Sequence, residues 1–262
     1  MRKAIKKYFE YLWKQAKKER KSEILRLVNK KKQKNLKLLD LGCDNGDYSL
    51  KLGKRLRTNA IYGIEINQKA ANEARKKGIE VKTSDLNKKF PFRKESFDII
   101  VADQVIEHLH DLDNFVSEIK RTLKPDGIAV VSTENLASWH NVFALLVGHQ
   151  PFTGPTPSQK HVVGLHPLTP SITSMKRKYE HTYLMPPHTK VLSLKAMKDL
   201  FKSYNFRIDA VSTHGYLPLP PCLSSFFEKV DPYHAFFITI RIHKDNKNKS
   251  LLKIVIDKDK KL

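Results

Sequence analysis

The sequence predicts an α/β domain built on a doubly wound, mostly parallel sheet. Short apolar runs alternate with helix-period segments through the first half of the chain, the pattern of a sheet covered on both faces. A glycine-containing turn, LLDLGCDNG (38–46), follows the first apolar run, where strand one should enter helix one. The 262 residues, 40% hydrophobic and 9% aromatic, suffice for one packed domain with additions and exclude wholesale disorder.

Taken in order, 36–41 reads as a buried strand and 48–56 as a helix. A second strand over 60–66 leads into a helix over 68–77, and a third strand follows near 80–82. Residues 97–102 form a strand, 113–123 a helix and 127–133 another strand. Between the last two, Lys124-Pro-Asp-Gly127 reads as a turn, because Pro stops the helix and Gly permits positive φ. A helix over 136–147 then gives way to a long segment rich in Pro, His, Thr and Ser, a composition typical of lids and binding loops. Regular structure resumes with a helix over 193–204, a strand over 206–213 and a strand over 235–243, the last two separated by the Pro-rich LPLPPC. This divides the chain into a basic helical extension (1–35), a domain (36–243) with a lid inserted at about 135–190, and a basic tail (244–262) in which LLKIVI reads as a short strand.

The formal net charge is +22, of which +11 lies in residues 1–35 and +5 in residues 241–262. A nucleic-acid enzyme more often concentrates its charge around the cleft. In the N-terminal segment Ile5, Tyr8, Phe9, Leu12, Trp13 and Ala16 recur at helical spacing between lysines. Three readings stand: a helix that packs this stripe on the domain, a helix on an anionic membrane surface, or a nucleic-acid grip. Two cysteines exclude a disulfide framework and a Cys-rich zinc site. The longest apolar run, 142–147, is six residues, far short of a membrane span. The start lacks the apolar region of a secretion signal, so the expected compartment is the cytoplasm, with a membrane-peripheral location open to the basic ends.

The glycine turn lets backbone approach a ligand, and the following helix N-terminus favours an anionic or polar group. Glu65, in YGIEIN (62–67), lies 19 residues after Gly46, a spacing at which a carboxylate can accept the hydroxyls of a ribose. Turn, acid and strand context together point to a nucleoside-containing cofactor.

With these motifs the chain resembles the class I S-adenosylmethionine-dependent methyltransferases, in the large group with small-molecule and lipid-like acceptors. LLDLGCDNG resembles the family's first motif and YGIEIN its ribose-binding acid. Thr83-Ser-Asp-Leu86 resembles the third-strand motif, 97–109 (FDIIVADQVIEHL) the fourth-strand segment, and 121–127 (RTLKPDG) the turn before strand five. More loosely, residues 135–152, 188–190 and 231–235 resemble a poorly characterised bacterial and archaeal subgroup. The resemblance implies a seven-stranded sheet with the last strand antiparallel, and S-adenosyl-L-methionine as cofactor. It implies that Asp40 fixes the first loop and approaches the cofactor's amino-acid end, while Gly42, Cys43, Asp44 and Gly46 form its wall. Glu65 would hold the ribose, Ile66 would pack on adenine, Asp85 and Leu86 would border the adenine edge, and Asp103, Gln104 and Val105 would lie near the methionine. Asp85 also reads as a turn or helix-capping residue.

Two positions depart from the family's glycines: Asp44 in the first motif and Asp126 in the late turn. Aspartate tolerates positive φ better than most residues, so both fit as local substitutions. Asp44 then adds a negative charge beside the cofactor's methionine part, or else is a strained residue that degrades binding.

Because the sulfonium already activates the methyl group, transfer mainly requires an aligned nucleophile. An oxygen nucleophile also needs a base, and His108 is the candidate, because imidazole titrates near neutral pH; a structural histidine at a helix start is the alternative. Glu107 reads as orienting neighbours or capping. Histidines 140, 149, 161, 166, 181 and 188 match no compact metal spacing, so no metal is expected; with Tyr179 and Tyr183 they suit polar contacts in an acceptor lid. Trp139, Phe143, Leu145 and Leu146 read as core or pocket wall. The function expected is methyl transfer to a small-molecule or lipid-linked acceptor, at oxygen. The alternatives are an RNA or protein methyltransferase recruited by the basic termini, and a non-catalytic cofactor-binding scaffold.

Overall fold

The structure, a computed structural model, describes residues 2–29, 35–155, 163–164 and 187–245. Helix α1 (Arg2–Leu27) precedes β1 (Leu38–Leu41), α2 (Asp47–Leu56), β2 (Ile61–Glu65), α3 (Gln68–Lys76) and β3 (Glu80–Thr83). Then come β4 (Phe97–Asp103), a 3-10 turn (Ile106–His108), α4 (Leu112–Thr122), β5 (Leu123–Glu134) and α5 (Trp139–Leu146). After the segment outside the described residues come α6 (Leu194–Ser203), β6 (Phe206–His214), α7 (Pro221–Val230) and β7 (Phe237–Lys244).

The strands form one seven-stranded sheet in the order β3-β2-β1-β4-β5-β7-β6. All neighbours are parallel except β7, which runs antiparallel to both β5 and β6. The two-residue period of a strand sorts side chains to opposite faces. Leu39, Ile100, Ala102, Ala129 and Val131 join Phe115, Ile119, Met197 and Phe201 of α4 and α6 on one face. Leu38, Ile99, Val101, Ile128 and Val130 join Ile24, Leu52, Ala71 and Ala74 of α1, α2 and α3 on the other. Both layers are continuous and apolar, as a doubly covered parallel sheet requires.

Helix α1 packs against β5, β6 and β7. Its buried stripe runs through Leu12, Ala16, Arg20, Ile24 and Leu27, while Tyr8 and Trp13 are exposed. The stripe is thus rotated from the aromatic one expected, and it contains a buried arginine.

Three local expectations need correction. Lys124-Pro-Asp-Gly127 is not a free turn: Leu123 pairs with Phe97 and Ile128 with Ile99, so the four residues bulge from β5 within the strand. Neither Asp126 nor Gly127 has positive φ; Gly127 is required because a Cβ there would stand 2.6 Å from Leu123 Cδ1. The Pro-rich stretch hides α7, which begins at Pro221, since proline's fixed φ and missing N–H suit a helix's first turn. Trp139, Phe143, Leu145 and Leu146 are exposed rather than core. His161, His166, His181, Tyr179, Tyr183 and the LLKIVI strand lie outside the described residues.

Candidate functional site

The carboxyl ends of β1, β2, β4 and β5 open on the same edge of the sheet, where ligands bind in open α/β folds. The β1 end is a backbone cradle. Gly42, Asp44 and Gly46 have φ of 73°, 48° and 81°, so three residues of the loop lie in the left-handed region. A Cβ on Gly42 would stand 2.6 Å from Val105 Cγ2, and one on Gly46 2.5 Å from Ile79 Cδ1. Asp44 holds the conformation expected of it, with its side chain exposed. The Gly42 N–H donates to the Ile64 carbonyl at 2.8 Å, which ties the loop to the end of β2.

Glu65 is fixed from both sides. Its Oε2 accepts the Asp44 N–H at 3.0 Å and its Oε1 accepts the Asn67 N–H at 2.8 Å. Asn67 in turn caps α3, its Oδ1 accepting the N–H groups of Lys69 and Ala70. Ile66 beside it is 62% exposed, an apolar platform at the mouth. Asp85 Oδ1 accepts both the backbone N–H and the side-chain amide of Asn87 at 2.9 Å, the turn role foreseen as its alternative; Leu86 is buried beside it.

Asp40 is buried on β1, and Ser49 Oγ of α2 donates to its Oδ2 at 2.6 Å. That bond fastens the helix after the loop. Burial pushes the Asp40 carboxyl up to about 7 despite the serine. The Cys43 thiol is raised by burial and the carboxylates around it, so it is a packing residue: a Cβ on Gly63 would stand 2.5 Å from its Sγ.

The β4 and β5 ends differ in kind. Asp103 pairs with Arg20 of α1, Nη2 to Oδ2 at 3.2 Å, and the guanidinium also lies over the Phe237 ring at 4.5 Å. Arg20 is 2% exposed. Burial raises the Asp103 carboxyl while Arg20 opposes the rise. Gln104 has φ of 60°, a strained conformation for a non-glycine residue. Its N–H donates to Ser132 O at 2.9 Å, and Val105 packs on Gly42.

The following turn presents Glu107 and His108. Glu107 is 1% exposed, and its Oε2 accepts from Thr133 Oγ1 at 2.9 Å. Its backbone carbonyl accepts the Thr189 N–H at 2.7 Å, so the chain that resumes at residue 187 is pinned here. That brings His188 against His108, ring centroids 4.9 Å apart. Glu134, at the end of β5, lies 3.5 Å from His188 Nδ1. Burial pushes the carboxyls of Glu107 and Glu134 up to about 7. By contrast, His140 is buried against Phe152 and Phe236, a core histidine.

Among the described residues, six buried side-chain polar atoms have no hydrogen-bond partner. Five lie here: Arg20 Nε, Asp103 Oδ1, Gln104 Nε2, Glu107 Oε1 and Glu134 Oε2. Buried polar atoms are normally satisfied because leaving one bare costs about 1–3 kcal/mol, so such a cluster is where a ligand or ordered water gains hydrogen bonds. Sequence reading missed Arg20 and Glu134 as members, and it gave His188 only a general polar role in an acceptor lid. The fourfold spacing of Leu12, Ala16, Arg20 and Ile24 was an available signal for Arg20. Nothing local marks Glu134 or joins it to His188; the fold brings the two together from distant segments.

A profile of the methyltransferase domain matches residues 12–211. A ubiquinone biosynthesis O-methyltransferase of Pelagibacter ubique is 31% identical over 120 residues, which is 43% of this chain and 48% of that protein. A demethylmenaquinone methyltransferase of Lactobacillus johnsonii is 30% identical over 123 residues, 41% of this chain and 50% of that protein. The chain thus spans about half the length of these curated relatives. Among solved structures, an S-adenosylmethionine-dependent methyltransferase of Mesorhizobium loti superposes with a TM-score of 0.55 at 16% identity, covering 85% of this chain and 96% of the other. A geranyl diphosphate C-methyltransferase of Streptomyces coelicolor, crystallised with S-adenosyl-L-homocysteine, gives 0.54 at 13% identity, covering 87% and 80%. At those identities the likeness is one of fold.

Proposed function

The chain belongs to the methyltransferase domain family, and from that premise we propose that it transfers a methyl group from S-adenosyl-L-methionine to an oxygen of a small-molecule or lipid-linked acceptor. One observation carries the cofactor assignment. Glu65 is locked between the glycine loop and the start of α3 by two backbone N–H donors, at the height where a ribose would meet it, with exposed Ile66 alongside.

The residues present fit the cofactor. The glycine loop has no room for a Cβ at Gly42 or Gly46, so the backbone itself forms the wall, together with Cys43 and Asp44. Asp85 and Leu86 border the adenine end. Asp103, Gln104 and Val105 take the methionine end, and their unpartnered atoms, with Arg20 Nε, are charged or polar groups of the kind an α-amino acid would satisfy. Asp40 acts behind the wall, through Ser49 and α2. When bound, the cofactor supplies a methyl group already activated for displacement. The chain's own work is to align the acceptor oxygen and accept its proton. The group that does so is the half-buried imidazole–carboxylate cluster beyond Asp103, with His108 as the proton acceptor. The ubiquinone and menaquinone relatives support the acceptor class.

The basic outer face of α1, and the basic tail, would bring the enzyme to an anionic membrane carrying a lipid-linked acceptor; contact with nucleic acid is the rival role for the same charge. Among the described residues no helix is long and apolar enough to cross a membrane, which leaves peripheral contact as the form of this proposal, from the cytoplasmic side.

Calorimetry with S-adenosyl-L-homocysteine tests the cofactor assignment. The expected result is stoichiometric binding weakened at least about 10-fold by Glu65→Ala, the loss of a charge-assisted ribose contact. Absence of binding, or binding indifferent to Glu65→Ala, overturns it. Incubation with methyl-labelled cofactor and fractionated cell extract then tests the acceptor: label in the small-molecule or lipid fraction is expected, and label only in RNA or protein overturns that class.

A further inference from the structure

We propose that Glu19, His214 and Glu228 bind a divalent transition-metal cation that clips α1 to the outermost strand β6 and to α7. The proposal goes beyond the methyl-transfer reading and does not depend on it, because none of the three belongs to the cofactor or acceptor groups. They come from three elements: Glu19 from α1, His214 from the end of β6 and Glu228 from α7. One ligand-capable atom of each lies within 4.8 Å of the other two. Donors on a tetrahedral zinc ion stand about 3.3 Å apart, given bonds near 2.0–2.1 Å, so small side-chain rotations close the set.

The surrounding hydrogen bonds aim these donors at one another. Glu228 Oε1 is already occupied, accepting from the Gly215 N–H and from Ser224 Oγ at 2.8 Å each. Its Oε2 is left facing His214 Nδ1 at 3.7 Å. The other imidazole nitrogen, Nε2, stands 3.1 Å from Ser212 Oγ. After the larger contribution of Arg26, the Ser212 hydroxyl also helps to lower the Glu23 carboxyl. Its proton therefore goes to Glu23, and its oxygen accepts from Nε2–H. A neutral imidazole held in this way presents the Nδ1 lone pair to Glu228, and outer-shell partners of this kind set the tautomer of ligating histidines. Glu19 completes the group: burial and then the Glu228 charge raise its carboxyl, with His214 opposing. A proton on Nδ1 does not reach across 3.7 Å to Glu228 as a hydrogen bond. A cation ligates all three atoms at once.

One imidazole with two carboxylates suits zinc, iron(II), cobalt or nickel better than calcium or magnesium, which prefer all-oxygen shells. The double charge of the ion balances the two carboxylates. The side chains of His214 and Glu228 are 15% and 14% exposed, enough for water to take the fourth position. Glu19 also lines a cleft between α1 and residues 215–221, which gives the ion an entry path. A Cβ on Gly215 would stand 2.7 Å from Ala16 Cβ. The helix is thus already close-packed at this corner, and the cation adds a tie without moving it. Because Glu19 precedes Arg20, a filled site holds in place the helix that carries Arg20 to Asp103.

The full chain, stripped with chelator, is titrated with zinc by calorimetry and unfolded in urea with and without zinc. The expected result is a zinc equivalent that Glu19→Gln and Glu228→Gln each weaken at least about 10-fold, the scale on which groups around a metal tune its affinity. Both substitutions keep the side-chain size, so circular dichroism should be unchanged. Glu10→Gln, at an exposed carboxylate of the same helix, should leave the equivalent unmoved. Zinc should raise the urea midpoint of the parent, because a ligand of the folded chain shifts unfolding by mass action. It should not raise that of Glu19→Gln. Zinc affinity indifferent to both cluster substitutions, or a midpoint raised equally in Glu19→Gln, overturns the site. A parent midpoint that zinc leaves unmoved overturns it as well.

Discussion

The two halves of the ligand edge are built on opposite principles. At β1 and β2, Glu65 and Asp40 each have a short, well-placed partner, and the loop is closed by its own backbone. At β4 and β5, Asp103, Gln104, Glu107 and Glu134 each bury a polar atom with no hydrogen-bond partner. The first half is closed by its own hydrogen bonds, whereas the second keeps buried polar atoms that no protein group satisfies. A preorganised cradle can recognise the nucleoside, and an unsatisfied pocket gains most when something polar fills it.

The largest break in this contrast should come from Arg20→Ala. It leaves Asp103 buried without its cation, at a cost of about 3–5 kcal/mol, read as a lower urea midpoint. The double change Arg20→Met with Asp103→Leu should recover much of that loss. Equal instability in the double variant would mean that packing of α1, not the charge pair, is at stake.

Next is Asp40, whose carboxyl sits at about 7 when folded against an ordinary value near 3.8. Between those values the folded chain holds a proton that the unfolded chain has released. Stability therefore falls as pH rises from about 4 to about 7. Asp40→Asn keeps a partner for Ser49 without the charge. It should be more stable than the parent at pH 8, by on the order of 3 kcal/mol, and not at pH 4. Parallel pH profiles for the two proteins would show that the β1 half is not strained by its buried acid.

Gly42→Ala should cost about 2–3 kcal/mol, combining left-handed strain with the clash on Val105. Val105→Ala added to it should relieve the clash and leave the strain. If Val105→Ala restores nothing, the two halves do not meet at this contact. Ile66→Ser should have the smallest effect, about 1 kcal/mol of nucleoside affinity with unchanged stability, since the side chain is already exposed. A stability loss instead would place Ile66 in the core of the loop.

The same contrast explains what could be read from residues alone. The strand and helix order through β5 was legible because apolar alternation and glycine turns are local signals, and Glu65 followed from its distance to Gly46. Glu134 was not legible, and His188 was legible only as a polar residue of an acceptor lid, not as a neighbour of His108. Each acquires meaning only when the Thr189 N–H docks on the Glu107 carbonyl, a contact between segments far apart in the chain. Packing of α1 on the domain was among the readings its apolar stripe allowed, but Arg20 was not expected in that stripe; it turns inward because the buried residues step by four through Leu12, Ala16, Arg20 and Ile24. Helix α7 was masked by the prolines that start it.

The placement of α1 fixes the order in which the site can mature. Leu27 O accepts from Arg241 of β7 at 3.3 Å, across a separation of 214 residues, and Arg20 lies over Phe237 of the same strand. On the ribosome, α1 emerges long before its docking surface is made. It must then wait, as a lysine-rich amphipathic helix, until the sheet's seventh strand is inserted beside β5. Loop closure over such a span is entropically costly and slow. The β1–β4 portion can therefore collapse first, and burial of Arg20 against Asp103 becomes a closing event that reports completion of the whole sheet.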